Sequence, residues 1–345
     1  MPTEKTLYLY PFTSATLREG GNRYIPDLVQ HLGRHFKIVN KQTNLGLLDV
    51  VQKLPKCDVL YFNWIEDVAD KKFGALQVLL LWLILKVSKS SGKKIVWFIH
   101  NNLSHKKKNL WLKRKVVSLM KNNADVVLSH SKEARVAGLK QTIQVFDHPV
   151  EGYMPLTATE NYEYDLLIWG TVTPYKGVEE FLKFNFDTTS LRAYKILVAG
   201  KFASPEYFET IQKIKAPNSI LENRILEEAE LVQLFSKSRY VLFTYNSASV
   251  LSSAALCKTL SFGKTIIGPH VGAFKELGTK GLIYTYDSFE NLASLLNNLH
   301  PKKTEKAYQK HLQEYIAQHS WPQFARFVAQ AVNGKRKAMH VQAVI

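Results

Sequence analysis

The chain has 345 residues, 46% of them hydrophobic, and a formal net charge of +17. That length and core-forming composition exclude wholesale disorder and suit two domains of ordinary size. The only cysteines, Cys57 and Cys257, stand far apart and in no ligand spacing, which excludes a disulfide framework and suits a reducing cytoplasm.

The opening MPTEKTLYLYPF is too short and polar for the apolar core of a signal peptide. Residues 6–12 read as a buried strand, residues 14–23 as a polar loop holding Gly20 and Gly21, and residues 24–32 as a helix by their apolar spacing. This is the opening of a Rossmann-like unit, although it is not GxGxxG. The two glycines fit a ligand brought close to the backbone and fit an ordinary tight turn equally well.

Residues 36–40 and 57–63 read as strands. Trp64 and Glu66 follow the second, where such sheets bind ligands, although capping explains Glu66 and Asp67 more simply. Residues 73–87, FGALQVLLLWLILKV, are the most apolar stretch. Crossing a bilayer takes about 17–25 apolar residues, so a buried or interfacial helix is expected. The next strand, 93–100, ends on His100. Residues 86–121 hold eleven Lys or Arg and no acid. Their run KKKNLWLKRKVV, with Lys106, Lys107, Lys108, Lys113 and Arg114, reads as an amphipathic membrane-surface segment. The alternative is a packed helix with a solvated basic face. A strand at 124–130 and a helix at 131–139 follow, and residues 143–150 end a first domain, 1–150. Residues 151–163 are polar and hold Pro155, so they read as a linker.

Strands and helices then alternate through residue 299, which predicts a second doubly wound parallel sheet in a domain of 164–310. Residues 311–333 are helical, interrupted at Pro322, and 334–345 form a tail. Two loops of this half can carry chemistry. In GTVTPYKG, Gly170 ends a strand, Thr171 and Thr173 offer hydroxyls and Lys176 a compact positive charge. A diphosphate needs such groups beside a helix start, although a lysine so placed is usually solvated. In NSASVLSS, Asn246, Ser249, Ser252 and Ser253 follow one strand and precede a helix, either as ligand donors or as a serine-rich cap.

The pair of loops, with SFGKTIIGP and GAFKEL after them, resembles the GT-B glycosyltransferases, in particular family-4-like enzymes and bacterial exopolysaccharide transferases. The resemblance implies an α/β fold of two Rossmann-like doubly wound parallel-sheet domains facing a central cleft, with a C-terminal helix, 311–333, crossing back to the first. It implies transfer of a sugar from a UDP- or GDP-linked donor to a glycan or polyprenyl-diphosphate-linked acceptor in bacterial surface polysaccharide synthesis, with retention, no metal and no cofactor. The enzyme would sit peripherally on anionic lipid at the cytoplasmic face. Lys176 would grip the diphosphate, approached by Gly20, Gly21 and Asn22; Gly170, Thr171, Asn246, Ser249, Ser252 and Ser253 would line the donor. His100 would lie beside the sugar, ahead of His105. One departure is plain: two family glutamates, eight positions apart, align with Val250 and Lys258. That departure keeps open a non-catalytic scaffold of GT-B shape. Nucleic-acid binding is suggested by charge alone and is not expected, since no reading motif is present.

Overall fold

The computed structural model describes residues 4–13, 23–101, 108–156, 161–246, 250–299 and 306–334. The chain divides into two compact units, Met1–Asp147 with Trp321–Ile345, and His148–Ser320.

In the first unit the strands are β1 (Thr6–Tyr10), β2 (Lys37–Ile38), β3 (Val59–Asn63), β4 (Lys94–Ile99), β5 (Val126–Ser129) and β6 (Ile143–Val145). They form one sheet in the order β2-β1-β3-β4-β5-β6, parallel throughout. The helices are α1 (Tyr24–Leu32), α2 (Leu47–Lys53), α3 (Gly74–Ser90) and α4 (Leu110–Asn123). From β2 onward the chain steps one way across the sheet, so right-handed crossovers place α2, α3 and α4 on one face and α1 on the other. Accordingly α3 packs between α2 and α4. The β-strand residues Leu7, Leu9, Val59, Val96 and Phe98 bury against Ile25, Leu28 and Leu32 of α1.

The helix expected at 131–139 is absent: the segment is a series of turns. Ser131 Oγ accepts the Glu133 amide, and the Arg135 guanidinium takes the carbonyls of Lys132 and Ala134. The serine oxygen thus stands in for a helical carbonyl, and the guanidinium for helical amides.

The second unit repeats the plan. Its strands are β7 (Tyr164–Trp169), β8 (Ile196–Ala199), β9 (Ser219–Glu222), β10 (Ser238–Leu242), β11 (Ile266–Pro269) and β12 (Tyr284–Tyr286). The order is β12-β11-β10-β7-β8-β9, again all parallel. The helices are α5 (Val178–Asp187), α6 (Pro205–Ile214), α7 (Glu228–Lys237), α8 (Ala254–Ser261), α9 (Gly272–Thr279), α10 (Phe289–Asn297) and α11 (Lys306–Gln318). The switch point, where strand order reverses, lies between β7 and β10, and open α/β sheets bind ligands at that edge.

The last described helix, α12 (Trp321–Val332), belongs to the first unit, where Phe324 and Val328 enter the core beside α1. The division falls between Ser320 and Trp321, not at residue 311 as the helical pattern suggested. Two facts hold α11 in the second unit: Tyr308, Leu312, Tyr315 and Ile316 are part of its core, and the His319 carbonyl accepts the Val150 amide at 2.9 Å. Pro322 stands in the first turn of α12, where its missing amide costs nothing. Among the described residues no helix is long and apolar enough to cross a membrane.

Candidate functional site

At the carboxyl end of β7 the chain turns through Gly170 and reaches Lys176 in a short 3-10 turn, Pro174–Lys176. Gly177 follows at φ +69 and begins α5. A β-carbon on Gly177 would collide with the Thr244 carbonyl oxygen, which lies just past β10. The Thr244 hydroxyl also donates to the Lys176 carbonyl at 2.7 Å. Glycine is therefore what lets the two loops of adjacent strands lock together. A second close approach, Gly200 of the β8 end against the backbone of Gly170, keeps that corner free of side chains.

Lys176 Nζ comes to rest in this corner. It lies 3.4 Å from where a Gly170 β-carbon would be and 5.9 Å from the centre of the Tyr245 ring. Among the described residues no carboxylate pairs with it. Burial pushes its pKa from 10.5 down to about 8. A partly desolvated cation with no carboxylate partner among the described residues, at the switch point of a parallel sheet, has the chemistry to receive an anion.

The α5 helix start adds less than the sequence suggested. Its first turn already carries Glu179 and Glu180, which answer the positive end of the helix. Glu180 accepts from Asn246 Nδ2 at 2.9 Å, so Asn246 is tied to α5. Thr171 is exposed. Ser253 caps α8 by accepting the Leu256 amide, and its hydroxyl also meets the Tyr245 hydroxyl at 3.3 Å. Ser252, one residue before the cap, is half-buried. Gly170, Thr171, Lys176, Asn246, Ser252 and Ser253 thus stand on the facing loops of β7 and β10. Gly20, Gly21, Asn22, His105, Lys106, Lys107 and Ser249 lie outside the described residues.

The two positions where the resemblance would put glutamates, Val250 and Lys258, are occupied for different reasons. Val250 is buried, and its carbonyl accepts the Ala273 amide at 3.1 Å. Lys258 pairs with Glu151 at 2.8 Å and Glu228 at 2.6 Å. Burial alone would lower its pKa, but those two carboxylates carry it upward. Sequence spacing could not reveal that Lys258 brings two acids of its own.

In the first unit His100 is buried just past β4. Its ring stacks on Trp64 at 3.9 Å between centres, and its Nε2 meets Asn63 Oδ1 at 2.9 Å. His130, at the end of β5, bonds the Tyr24 hydroxyl through Nε2 at 3.0 Å and the Phe146 carbonyl through Nδ1 at 2.9 Å. Asn63, Tyr24 and His130 were not expected at the site; the signal for Asn63 and His130 was their place at strand ends.

Glu66 also gains weight. Burial pushes its carboxyl up to about 7, with the Asp67 charge adding and Lys113 opposing. Lys113 itself corrects the sequence reading: it is 4% exposed and ion-paired to Asp70 at 2.7 Å, so it offers no charge to a membrane. Lys108 and Arg114 are exposed.

No family model and no curated protein matches the sequence. Solved structures match it in shape. Anabaena Alr3699/HepE in complex with UDP superposes with a TM-score of 0.64 at 14% identity, over 96% of this chain and 100% of that one. A glycosyltransferase from Rickettsia africae gives 0.64 at 12%, over 97% and 100%. The fold is that of the GT-B glycosyltransferases. An alpha-glucosyltransferase in complex with UDP and DNA gives 0.58 at 13%, over 94% and 97%, so GT-B neighbours of this chain differ widely in what they are bound to.

Proposed function

We propose that this GT-B chain is a glycosyltransferase that takes its sugar from a nucleoside diphosphate donor, UDP- or GDP-linked. The observation that carries the reading is Lys176, a half-buried ammonium with no carboxylate partner among the described residues, set at the β7–β10 switch point. In the reaction the bond from sugar C1 to the diphosphate oxygen breaks and C1 bonds the acceptor hydroxyl oxygen. With retention, the acceptor proton passes to the departing phosphate. Negative charge grows on that phosphate, and Lys176 stabilises it without needing a metal. The backbone around Ser252 and Ser253 adds dipoles, and His100 is the first unit's candidate for orienting the sugar.

The Anabaena structures are complexes with UDP and UDP-glucose, which favours a uridine donor. The exposed Lys108 and Arg114, in a stretch without acids, support an acceptor on anionic lipid at the cytoplasmic face of a bacterial membrane, a polyprenyl-diphosphate-linked glycan of surface polysaccharide synthesis. A second reading, a non-catalytic scaffold, is favoured by one observation: Val250 and Lys258 replace the two glutamates, and Lys258 is fully engaged. A thermal-shift panel of UDP-, GDP- and ADP-sugars, followed by donor turnover, separates the two. Binding with turnover that disappears in Lys176→Met supports the enzyme; binding without turnover supports the scaffold; no binding by any nucleotide sugar removes both donor readings.

A further inference from the structure

The helix α3 is apolar on both sides. Leu81, Ile84, Leu85 and Ser88 face the interior. The opposite side, Leu76, Leu79, Trp82, Leu83 and Val87, stays in solvent, with Leu76 60% and Leu83 45% exposed. These positions fall at three- and four-residue spacing and make one stripe. The flanking helices extend it. On α4, Leu110 and Trp111 are exposed, Trp111 at 66%, while Lys113 of the same helix is buried. On α2, Leu48 and Val51 are exposed. Three adjacent helices therefore turn apolar side chains outward on the same face of the sheet, which soluble monomers rarely do without a partner.

The charges around the stripe name the partner. Between Asp70 and Asp125 the chain has no acidic residue. Lys72, Lys86, Lys108, Arg114 and Lys115 are exposed along it, and Lys115 Nζ sits 5.5 Å from the centre of the Trp111 ring. A second copy on this face would set one basic rim against another. An anionic lipid surface satisfies both features, taking the leucines and tryptophans at the acyl boundary and the lysines at the headgroups. We infer that the outer face of the α2–α3–α4 layer inserts into the interfacial region of an anionic bilayer, with α3 as the inserting helix. This deepens the membrane reading given above and is independent of the donor.

The test is co-sedimentation of the full chain with vesicles of phosphatidylcholine, alone or with about 30 mol% phosphatidylglycerol. Binding to the anionic vesicles is expected, with quenching of Trp82 and Trp111 fluorescence by shallow brominated lipid. Leu79→Ser with Leu83→Ser should weaken binding at least about tenfold. Lys86→Glu with Lys115→Glu should also weaken it. All four positions are exposed, so melting should not change. If the charge variant alone loses binding and no tryptophan is quenched, insertion is wrong although electrostatic docking survives. If the leucine variant converts a dimer into a monomer in lipid-free solution, the face belongs to a second copy and the inference fails. Retention of a UDP-sugar melting shift in both variants keeps this result separate from the donor reading.

Discussion

His100 donates its Nε2 proton to Asn63 Oδ1 over 2.9 Å, and Asn63 is itself oriented because its Nδ2 donates to the Tyr10 carbonyl at 3.3 Å. Flipping the amide would set its oxygen against the Tyr10 carbonyl oxygen, so the orientation that keeps that bond places the proton of the neutral ring on Nε2 and the lone pair on Nδ1. Asn63→Leu is expected to lower kcat by about ten- to a hundredfold while leaving the donor KM nearly unchanged. Asn63→Asp should favour the imidazolium and move any histidine-dependent limb of the pH–rate profile to higher pH. Equal kinetics for all three proteins would show that His100 does not need this partner.

Lys176 couples stability to binding in opposite directions. Its folded pKa, about 8, lies below the value of about 10.4 for an exposed lysine. The unfolded chain therefore binds more protons between those values, and stability rises with pH across that window. Keeping this half-buried ammonium charged costs on the order of 3 kcal/mol at neutral pH. Lys176→Met should melt higher than the parent at pH 7, lose that advantage near pH 10, and fail to bind UDP. A lower melting point at pH 7 would contradict the burial.

Gly177→Ala should damage the site more than the fold. The added methyl meets the Thr244 carbonyl, and φ +69 disfavours alanine. A loss of about 1–3 kcal/mol is expected, together with loss of donor binding as the Lys176 turn moves away from Tyr245. Calorimetry of melting and of UDP titration reads both.

Charge reversal will not act alike along α4. Lys113→Glu places an acid against Asp70 in a buried setting and should unfold or strongly destabilise the first unit, by about 3–5 kcal/mol. Arg114→Glu changes an exposed residue and should leave melting within about 0.5 kcal/mol. Denaturant titration distinguishes them, and only the Arg114 variant is a fair probe of lipid binding.

Glu66 gives a second pH signature. Its folded pKa of about 7 exceeds the ordinary value, so the folded chain binds more protons between roughly pH 4.3 and 7 and loses stability as pH rises through that range. Glu66→Gln should remove this slope and stabilise the protein at pH 8 but not at pH 4. Identical pH dependence in both proteins would place Glu66 in solvent.

Local sequence carried the strand–loop–helix units well, because buried strands are short apolar runs and Gly177 or Ser253 punctuate them in ways chemistry dictates. It failed where a residue's meaning comes from a distant partner. Lys258 looked like a lost glutamate because Glu151 and Glu228 are remote in sequence. Lys113 looked like surface charge because Asp70 precedes it by a whole strand and helix. The 131–139 stretch read as a helix, yet Arg135 folds back on the local carbonyls. Asn63 showed only as a polar strand end, since nothing in its neighbourhood names His100.

The placement of α12 has a consequence for synthesis. Phe324 and Val328 fill the core laid down by α1 and the first sheet. On the ribosome, the unit that holds β1–β6 must therefore wait with that core open until α12 emerges, while His148–Ser320 can close before it. The unit that starts earlier is completed later, and a chain stopped before Trp321 should present its nascent α1 surface to chaperones.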